Sequence, residues 1–201
     1  MSTLSRQKRP YHHGDLEAAL VRAAGKLLDK EGIEALSLRE VARRAGVSHA
    51  APYRHFPERD ALLAALAVEG FEWLAVAQRE AAAAGGLRAM GEAYVEFALA
   101  HPQRFRLMFG GRIPLGKHAR LREVATRAYE ELSGALAARY PGAPGALDCS
   151  IAAWALVHGL AQLLLGGRIS SAAKRGRENA QFVREVLGTT RFVAIPAQSP
   201  A

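Results

Sequence analysis

Cysteine is almost missing from this chain: Cys149 stands alone among 201 residues, so no disulfide can close within it. That fits a reducing compartment. Aromatic residues are sparse as well, at 7%, and no stretch alternates convincingly enough to mark a strand. No apolar run reaches the length of a membrane span; the nearest, Ile151 to Gly167, contains His158 and Gln162. Residues 1–14 are basic and polar without an apolar centre, so no secretory leader is expected there. The expectation is a soluble, cytoplasmic protein with no membrane partner. Catalytic patterns are equally thin. His12, His13, His49 and His55 match no compact ligand spacing, so no metal is expected. The glycine pairs at 85–86, 110–111 and 166–167 lack the preceding strand and the following Gly-Lys-Ser/Thr of a phosphate loop. No acid pair or nucleophile–base set emerges. Cys149 has no neighbour in sequence to depress its pKa and reads as a buried structural thiol. The chain is read as a non-enzyme without a cofactor.

What is present is helical. Hydrophobic residues make up 50% of the chain, Ala and Leu prominent among them, and the length suffices for one or two domains. The formal net charge of +8 favours an anionic partner. Residues 1–60 hold 11 Lys/Arg against 8 Asp/Glu and the remainder 16 against 11, so the excess is not confined to one region. Residues 1–14, with Arg6, Lys8, Arg9, His12 and His13, read as a flexible basic arm that contacts DNA or trails free. A first helix is predicted from about Asp15 to Glu31, with a stripe of Leu16, Ala19, Leu20, Ala23 and Leu27 and a stop at Gly32. A long helix is predicted from about 58 to 83, then helices near 87–100, 102–110, 117–139, 145–166 and 171–187. Gly85-Gly86 is the expected hinge. The fold class is all-α with about nine helices. The boundaries are an arm at 1–14, a small domain at 15–60, a connecting helix at 61–84, a larger domain at 85–188 and a tail at 189–201.

The most informative stretch runs from Ser37 to Phe56. Ser37 with Glu40 three residues later reads as a capping box opening a short helix. Leu38, Val41 and Ala42 lie at helical spacing; Gly46 supplies the positive φ that stops the helix, and Ser48 caps a second short one. This is a helix-turn-helix, at about 36–55, whose second helix suits the major groove of DNA. Arg39, Arg43, Arg44, Arg54 and Arg59 cluster around it. Pro52 lies inside the second helix, so its first turn is expected to be tight or slightly irregular.

The order Glu31-Gly32, Ser37-Leu-Arg-Glu-Val-Ala, Ala-Gly-Val-Ser48, Tyr53-Arg-His-Phe56 and a basic residue before Asp60 closely resembles the TetR/AcrR family of transcriptional repressors over residues 12–66. Arg stands at 59 where that family often has Lys. The resemblance, with the chemistry of the side chains, places Ser37, Tyr53, His55 and Arg59 on phosphates. Ser48, His49, Ala50 and Arg54 face base edges, the alanine towards a thymine methyl; Arg39 is counted among the DNA-contacting residues without a choice between the two, and Phe56 goes to the core. Trp154-Ala-Leu-Val-His158-Gly159 resembles the Trp-x-x-x-His-Gly signature of one ligand-domain subgroup of the family. Trp154 and His158, four apart on one helix face, either line a small-molecule cavity or form a packed core pair, with Gly159 admitting a crossing helix. The candidate lining is Tyr94, Phe97, Phe105, Met108, Trp154, His158 and Gln162.

One reader makes too few base contacts for a selective site, so two-fold pairing on a palindromic double-stranded operator is expected. The homodimer face is assigned to Ile151, Ala155, Leu160, Leu163 and Leu164 of one helix and Phe182, Val183 and Val186 of the next, although these could equally close on their own core. The expected function is a repressor released by a small-molecule effector. Two alternatives remain: a helical small-molecule-binding protein or enzyme without DNA activity, and a nucleoid-type binder relying on net charge.

Overall fold

A computed structural model describes residues 13–141 and 145–190. The arm residues Arg6, Lys8, Arg9 and His12, and the tail from 191, lie outside the described residues. Among the described residues there are eight α-helices and no strand: α1 (His13–Glu31), α2 (Leu38–Ala45), α3 (Arg59–Ala100), α4 (Pro102–Phe109), α5 (Ala119–Arg139), α6 (Ala146–Leu165), α7 (Ser171–Lys174) and α8 (Asn179–Thr189). The chain divides into two compact units, Met1–Leu66 and Ala67–Ala201, and the division falls inside α3.

In the first unit α1 buries Leu20, Val21, Ala24, Leu27 and Leu28, with Leu16, Ala19 and Ala23 at the edge of that face. The buried face is thus centred on Ala24, one position round from the predicted stripe. α2 buries Leu38, Val41 and Ala42. Ser37 Oγ accepts the Glu40 N–H at 3.2 Å, and Gly46 at φ 70° ends the helix in the left-handed region. The Val47 N–H reaches back to the Ala42 carbonyl at 3.0 Å, which satisfies an otherwise orphaned acceptor. Only half of the capping box forms. The Glu40 carboxylate turns to Arg43 and Arg44, at 2.6–2.8 Å, and not to the Ser37 N–H. That pairing holds the Glu40 carboxyl at about 2, well below its ordinary value.

The second short helix departs from expectation. Ser48 to His55 form turns around a 3-10 segment, Pro52–Arg54, and no α-helix. Pro52 has no N–H, so the α-helical bond to the Ser48 carbonyl is missing; that carbonyl takes the Ala51 N–H instead, at 3.0 Å. Arg54 to Ala51 and His55 to Pro52 repeat the three-residue spacing.

In the second unit α3 bends at Gly86, whose φ of 70° and ψ of −157° lie outside helical space. Pro102 opens α4 in its first turn. The core gathers Leu74, Tyr94 and Val95 from α3, Phe105 and Leu107 from α4, Leu121 and Val124 from α5, Val157 and Ala161 from α6, and Phe182 and Val183 from α8. Gly91 lets α6 and α8 approach: a Cβ there would lie 3.2 Å from both Val157 Cγ1 and Leu187 Cδ1. Gly159, the expected crossing point, has open space around it. The helix predicted over 171–187 is broken. Arg175 and Gly176 both take positive φ, at 51° and 74°. The Arg177 guanidinium then donates to the Lys174 and Ala173 carbonyls at 2.6 and 3.3 Å, holding the break closed. α6 also revises the sequence reading, since Leu147–Leu165 is long and apolar enough to cross a membrane, with mean hydropathy 1.4. His158 and Gln162, expected to interrupt the run, are absorbed by a nineteen-residue span without loss of its apolar average. Cys149 is half-buried rather than buried.

Two glycine substitutions test this backbone. Gly134 sits inside α5 with no atom near its would-be Cβ, so Gly134→Ala should raise unfolding free energy by about 0.5–1 kcal/mol. Gly86→Ala also meets no neighbour, yet should lower it by about 1–3 kcal/mol through its positive φ. Urea unfolding of the two variants beside the parent chain measures both signs.

Candidate nucleic-acid interface and interior cavities

The predicted reader residues divide into two groups. Ser37, Arg39, Ser48, His49, Ala50, Tyr53 and Arg54 are exposed, Tyr53 at 50% of its surface. Ser37 commits one oxygen lone pair to the cap and keeps its O–H for an outside acceptor. Among the described residues, Arg39 and Arg54 carry no ion pair, whereas Arg44 bridges Glu31 and Glu40, both at 2.7 Å. The surface thus offers two uncommitted guanidiniums, three hydroxyls, an imidazole and a methyl group.

His55 and Arg59 turn inward. The His55 side chain is 13% exposed, and its Nδ1 lies 3.4 Å from the Glu17 carboxylate on α1. Arg59 donates from Nε to the Leu36 carbonyl at 2.7 Å and from a terminal nitrogen to the Ile33 carbonyl at 2.6 Å. These carbonyls flank a 3-10 turn, Ile33–Ala35, and a guanidinium fork satisfies both at once. The assignment of these two residues to phosphates is therefore revised: their polar atoms are drawn to α1 and to the chain leading into α2. Phe56 is buried at 4%, in the core as expected.

Two cavities open in the second unit, of about 410 and 480 Å³. Gln78, Tyr94, Leu132 and Trp154 belong to the walls of both, so one layer of side chains parts them. Met90, Leu136 and Val157 add apolar surface to the first; Phe71, Met108 and Tyr129 add it to the second. Volumes of this size hold small organic ligands. Of the predicted lining, Tyr94, Met108 and Trp154 are on the walls. Phe97, Phe105, His158 and Gln162 are not. Phe97 is buried against His101, with ring centres 5.1 Å apart. Phe105 stacks edge-on against Tyr94 at 5.8 Å and lies 5.3 Å from His158, so it backs the wall.

A polar chain runs through this wall. Trp154 Nε1 donates to the Tyr94 hydroxyl at 3.2 Å, the hydroxyl pairs with His158 Nδ1 at 2.9 Å, and His158 Nε2 meets the exposed Gln162 amide at 3.3 Å. Burial raises the Tyr94 phenol above its ordinary value and lowers the His158 imidazole below its own, so both are held neutral at pH 7. Sequence reasoning missed Gln78 and Tyr129. Gln78 follows Phe71 and Leu74 at helical spacing, so a lone amide on an apolar stripe was the available signal. Tyr129 is fixed by Ser150, whose Oγ lies 2.5 Å from its hydroxyl. Arg104 was missed too. It is buried between Glu69, at 3.1 Å, and the Trp73 ring, 4.1 Å from its centre.

Of the predicted dimer face, Ile151 and Leu163 are about half exposed and Ala155 is exposed. Leu164 and Val186 are intermediate. Leu160, Phe182 and Val183 are buried within the subunit and serve its core. Helical spacing marks an apolar stripe without saying which neighbour covers it.

Because Arg59 serves the fold, Arg59→Ala should cost about 1–3 kcal/mol of stability through two carbonyls left without their charged donor. Arg39→Ala should change stability by less than about 0.5 kcal/mol. Denaturant unfolding of the two variants separates these roles; equal, small effects would return Arg59 to the outer surface.

Comparison with known proteins gives consistent matches over both units. Residues 20–66 match the model of bacterial regulatory proteins of the tetR family. Residues 87–187, half of the chain, match the tetracyclin repressor-like C-terminal domain. An HTH-type transcriptional regulator of Mycobacterium tuberculosis, Rv1816, is 33% identical over 141 residues, which are 65% of this chain and 60% of that protein. The chain thus spans about 60% of the length of the curated relatives it matches. A solved protein of unknown function from Rhodococcus sp. RHA1 is 35% identical, with TM-score 0.76 over 90% of this chain and 96% of its own. PfmR, a TetR family transcriptional regulator from Thermus thermophilus, shares the fold at 19% identity, with TM-score 0.59 over 84% of this chain and 94% of its own.

Proposed function

The chain belongs to the TetR family of bacterial regulatory proteins, a family of DNA-binding transcriptional regulators and not of enzymes. From that premise we propose a cytoplasmic homodimeric repressor that a small apolar or amphipathic effector releases from a palindromic operator. The observation that carries this reading is a division of labour. One unit presents Arg39 and Arg54, which carry no ion pair among the described residues, with exposed Ser48, His49, Ala50 and Tyr53, and the other holds two partly open apolar cavities.

The residues that end outward suit the two kinds of DNA contact. Tyr53, Ser37 and Arg39 reach backbone phosphates, while Ser48, His49, Ala50 and Arg54 meet base edges. Pairing is supported by α6, of whose apolar span only 28% is buried within the subunit. Leu147, Ile151 and Leu163 stand exposed along it, at 63, 49 and 48%. A second copy would cover them, which accounts for an exposed apolar helix without placing it in a membrane. α3 begins in the first unit and runs on into the second, where Gln78 before its break at Gly86 and Tyr94 after it line the cavities. An effector that fits one arrangement of α3 better than another would change operator affinity by that difference.

Tyr53→Ala should weaken binding to every DNA sequence by about 1–3 kcal/mol at fixed salt while leaving fold and dimer intact. Fluorescence anisotropy on specific and random duplexes reads both values, and unchanged affinity would remove Tyr53 from the interface. The effector coupling is tested by reciprocity. An effector that lowers operator affinity by some factor must itself be bound more weakly, by that same factor, when operator is present. A cavity-bound ligand that leaves operator affinity untouched would leave a constitutive repressor.

A further inference from the structure

We infer that the first cavity takes an amphipathic anion, its apolar body between α3, α5, α6 and α8 and its charged head at a rim of arginines. This deepens the reading of the second unit as an effector site and rests on it. The wall changes character with depth. Its buried part is made by Met90, Leu136, Ala153, Val157 and Leu187, with Gln78 and Tyr94 as the buried polar side chains. Its exposed part carries Arg88, from α3 just past the bend at Gly86, and Arg139, from the last turn of α5. Among the described residues no carboxylate lines this cavity.

The two arginines differ in what already holds them. Arg88 lies 3.4 Å from the Glu92 carboxylate, which Arg184 also approaches at 3.6 Å, so one acid serves two guanidiniums. Arg139 carries no ion pair among the described residues. Its guanidinium rests over the ring of Tyr140, another wall residue, 5.1 Å from the ring centre. The rim is positive on balance, and no acid of the wall competes for Arg139. A neutral ligand forgoes that charge, whereas a carboxylate accepts paired N–H bonds from a guanidinium fork. The head stays at the exposed rim and keeps part of its water, so the cost of burying a charge is avoided. The body supplies affinity by leaving water for the apolar wall. In the second cavity, among the described residues, Arg122 is the single cation on the wall.

Decanoate suits the test, because an unbranched chain adapts to the outline of a cavity and the comparison then turns on the head. Methyl decanoate keeps the chain without the charge, decyltrimethylammonium reverses the charge, and octanoate shortens the body. Calorimetric titration of the full chain near neutral pH, where the carboxylate is ionised, should show decanoate bound about fivefold or more tighter than the ester. The ammonium compound should bind most weakly. Octanoate should bind about tenfold more weakly than decanoate, because two fewer methylenes leave water. Arg139→Gln should weaken decanoate by about five- to tenfold and the ester by less than about twofold. Arg122→Gln removes the same charge at the other cavity and should weaken decanoate by less than about twofold. Equal binding of decanoate and its ester by the parent would overturn the inference. So would octanoate bound as well as decanoate, a loss in Arg122→Gln as large as in Arg139→Gln, or no decanoate binding up to its solubility. Operator affinity, measured beside these, separates the two readings. Head-dependent binding that leaves operator affinity unmoved sustains the anion site and defeats ligand release. Operator release by some other compound, without the head preference, does the reverse.

Discussion

A buried phenol has to find partners for its hydroxyl, and the way Tyr94 does so organises the interior of the second unit. Its oxygen takes the indole N–H of Trp154 and pairs with the imidazole of His158, tying α3 to α6 at two points one turn apart. Its ring meets Phe105 and Phe109 of α4 at 5.8 and 6.2 Å. Three helices are fixed around one side chain. The remaining space falls on either side of it, which is why both cavities count Tyr94 and Trp154 among their walls. Burial keeps the phenol and the imidazole neutral, so the node holds by hydrogen bonds and packing and not by charge. If the second unit takes an effector as proposed, a ligand entering either lobe would lean on the contacts that set the spacing of α3 and α6.

The first unit depends on a different requirement, that of main-chain carbonyls near helix ends. Gly46 and Val47 satisfy the end of α2, and Arg59 satisfies the turn before it. With these groups answered from within, the segment from Ser48 to Arg54 has little to bind inside the unit beyond the buried ring of Pro52. Its side chains stay outward. The same requirement draws Arg59 away from the surface, as the Glu17 carboxylate draws His55, and Arg39 and Arg54 are left to supply the positive charge.

Much of this was legible in the sequence because the signals are local. Ser37, Gly46, Pro102 and Gly86 act within a turn of their own position, and each opens, ends or bends a helix where its chemistry predicts. The misread positions are those whose partner lies far along the chain. Arg59 is read from its charge and neighbours, and nothing local reveals the carbonyls of Ile33 and Leu36. Leu160, Phe182 and Val183 belong to an apolar stripe that spacing reports equally well whether core or partner covers it. Pro52 gives a local warning, a tight first turn, but its effect goes further and replaces the α-helix with 3-10 turns. Gln78 stays hidden because one amide on a long alanine-rich helix carries little signal until a cavity is found beside it.

The central claim is that the exposed residues around α2 and the Pro52 turn read DNA sequence as a pair. Selection from a random duplex pool with the purified full chain tests it most directly. The account predicts enrichment of an inverted repeat whose half-site centres lie about one helical turn apart, or somewhat more. The specific affinity should exceed that for random duplex by about 10³-fold or more at physiological salt. Contradiction would come from a pool that stays random, or from one asymmetric half-site bound by a monomer.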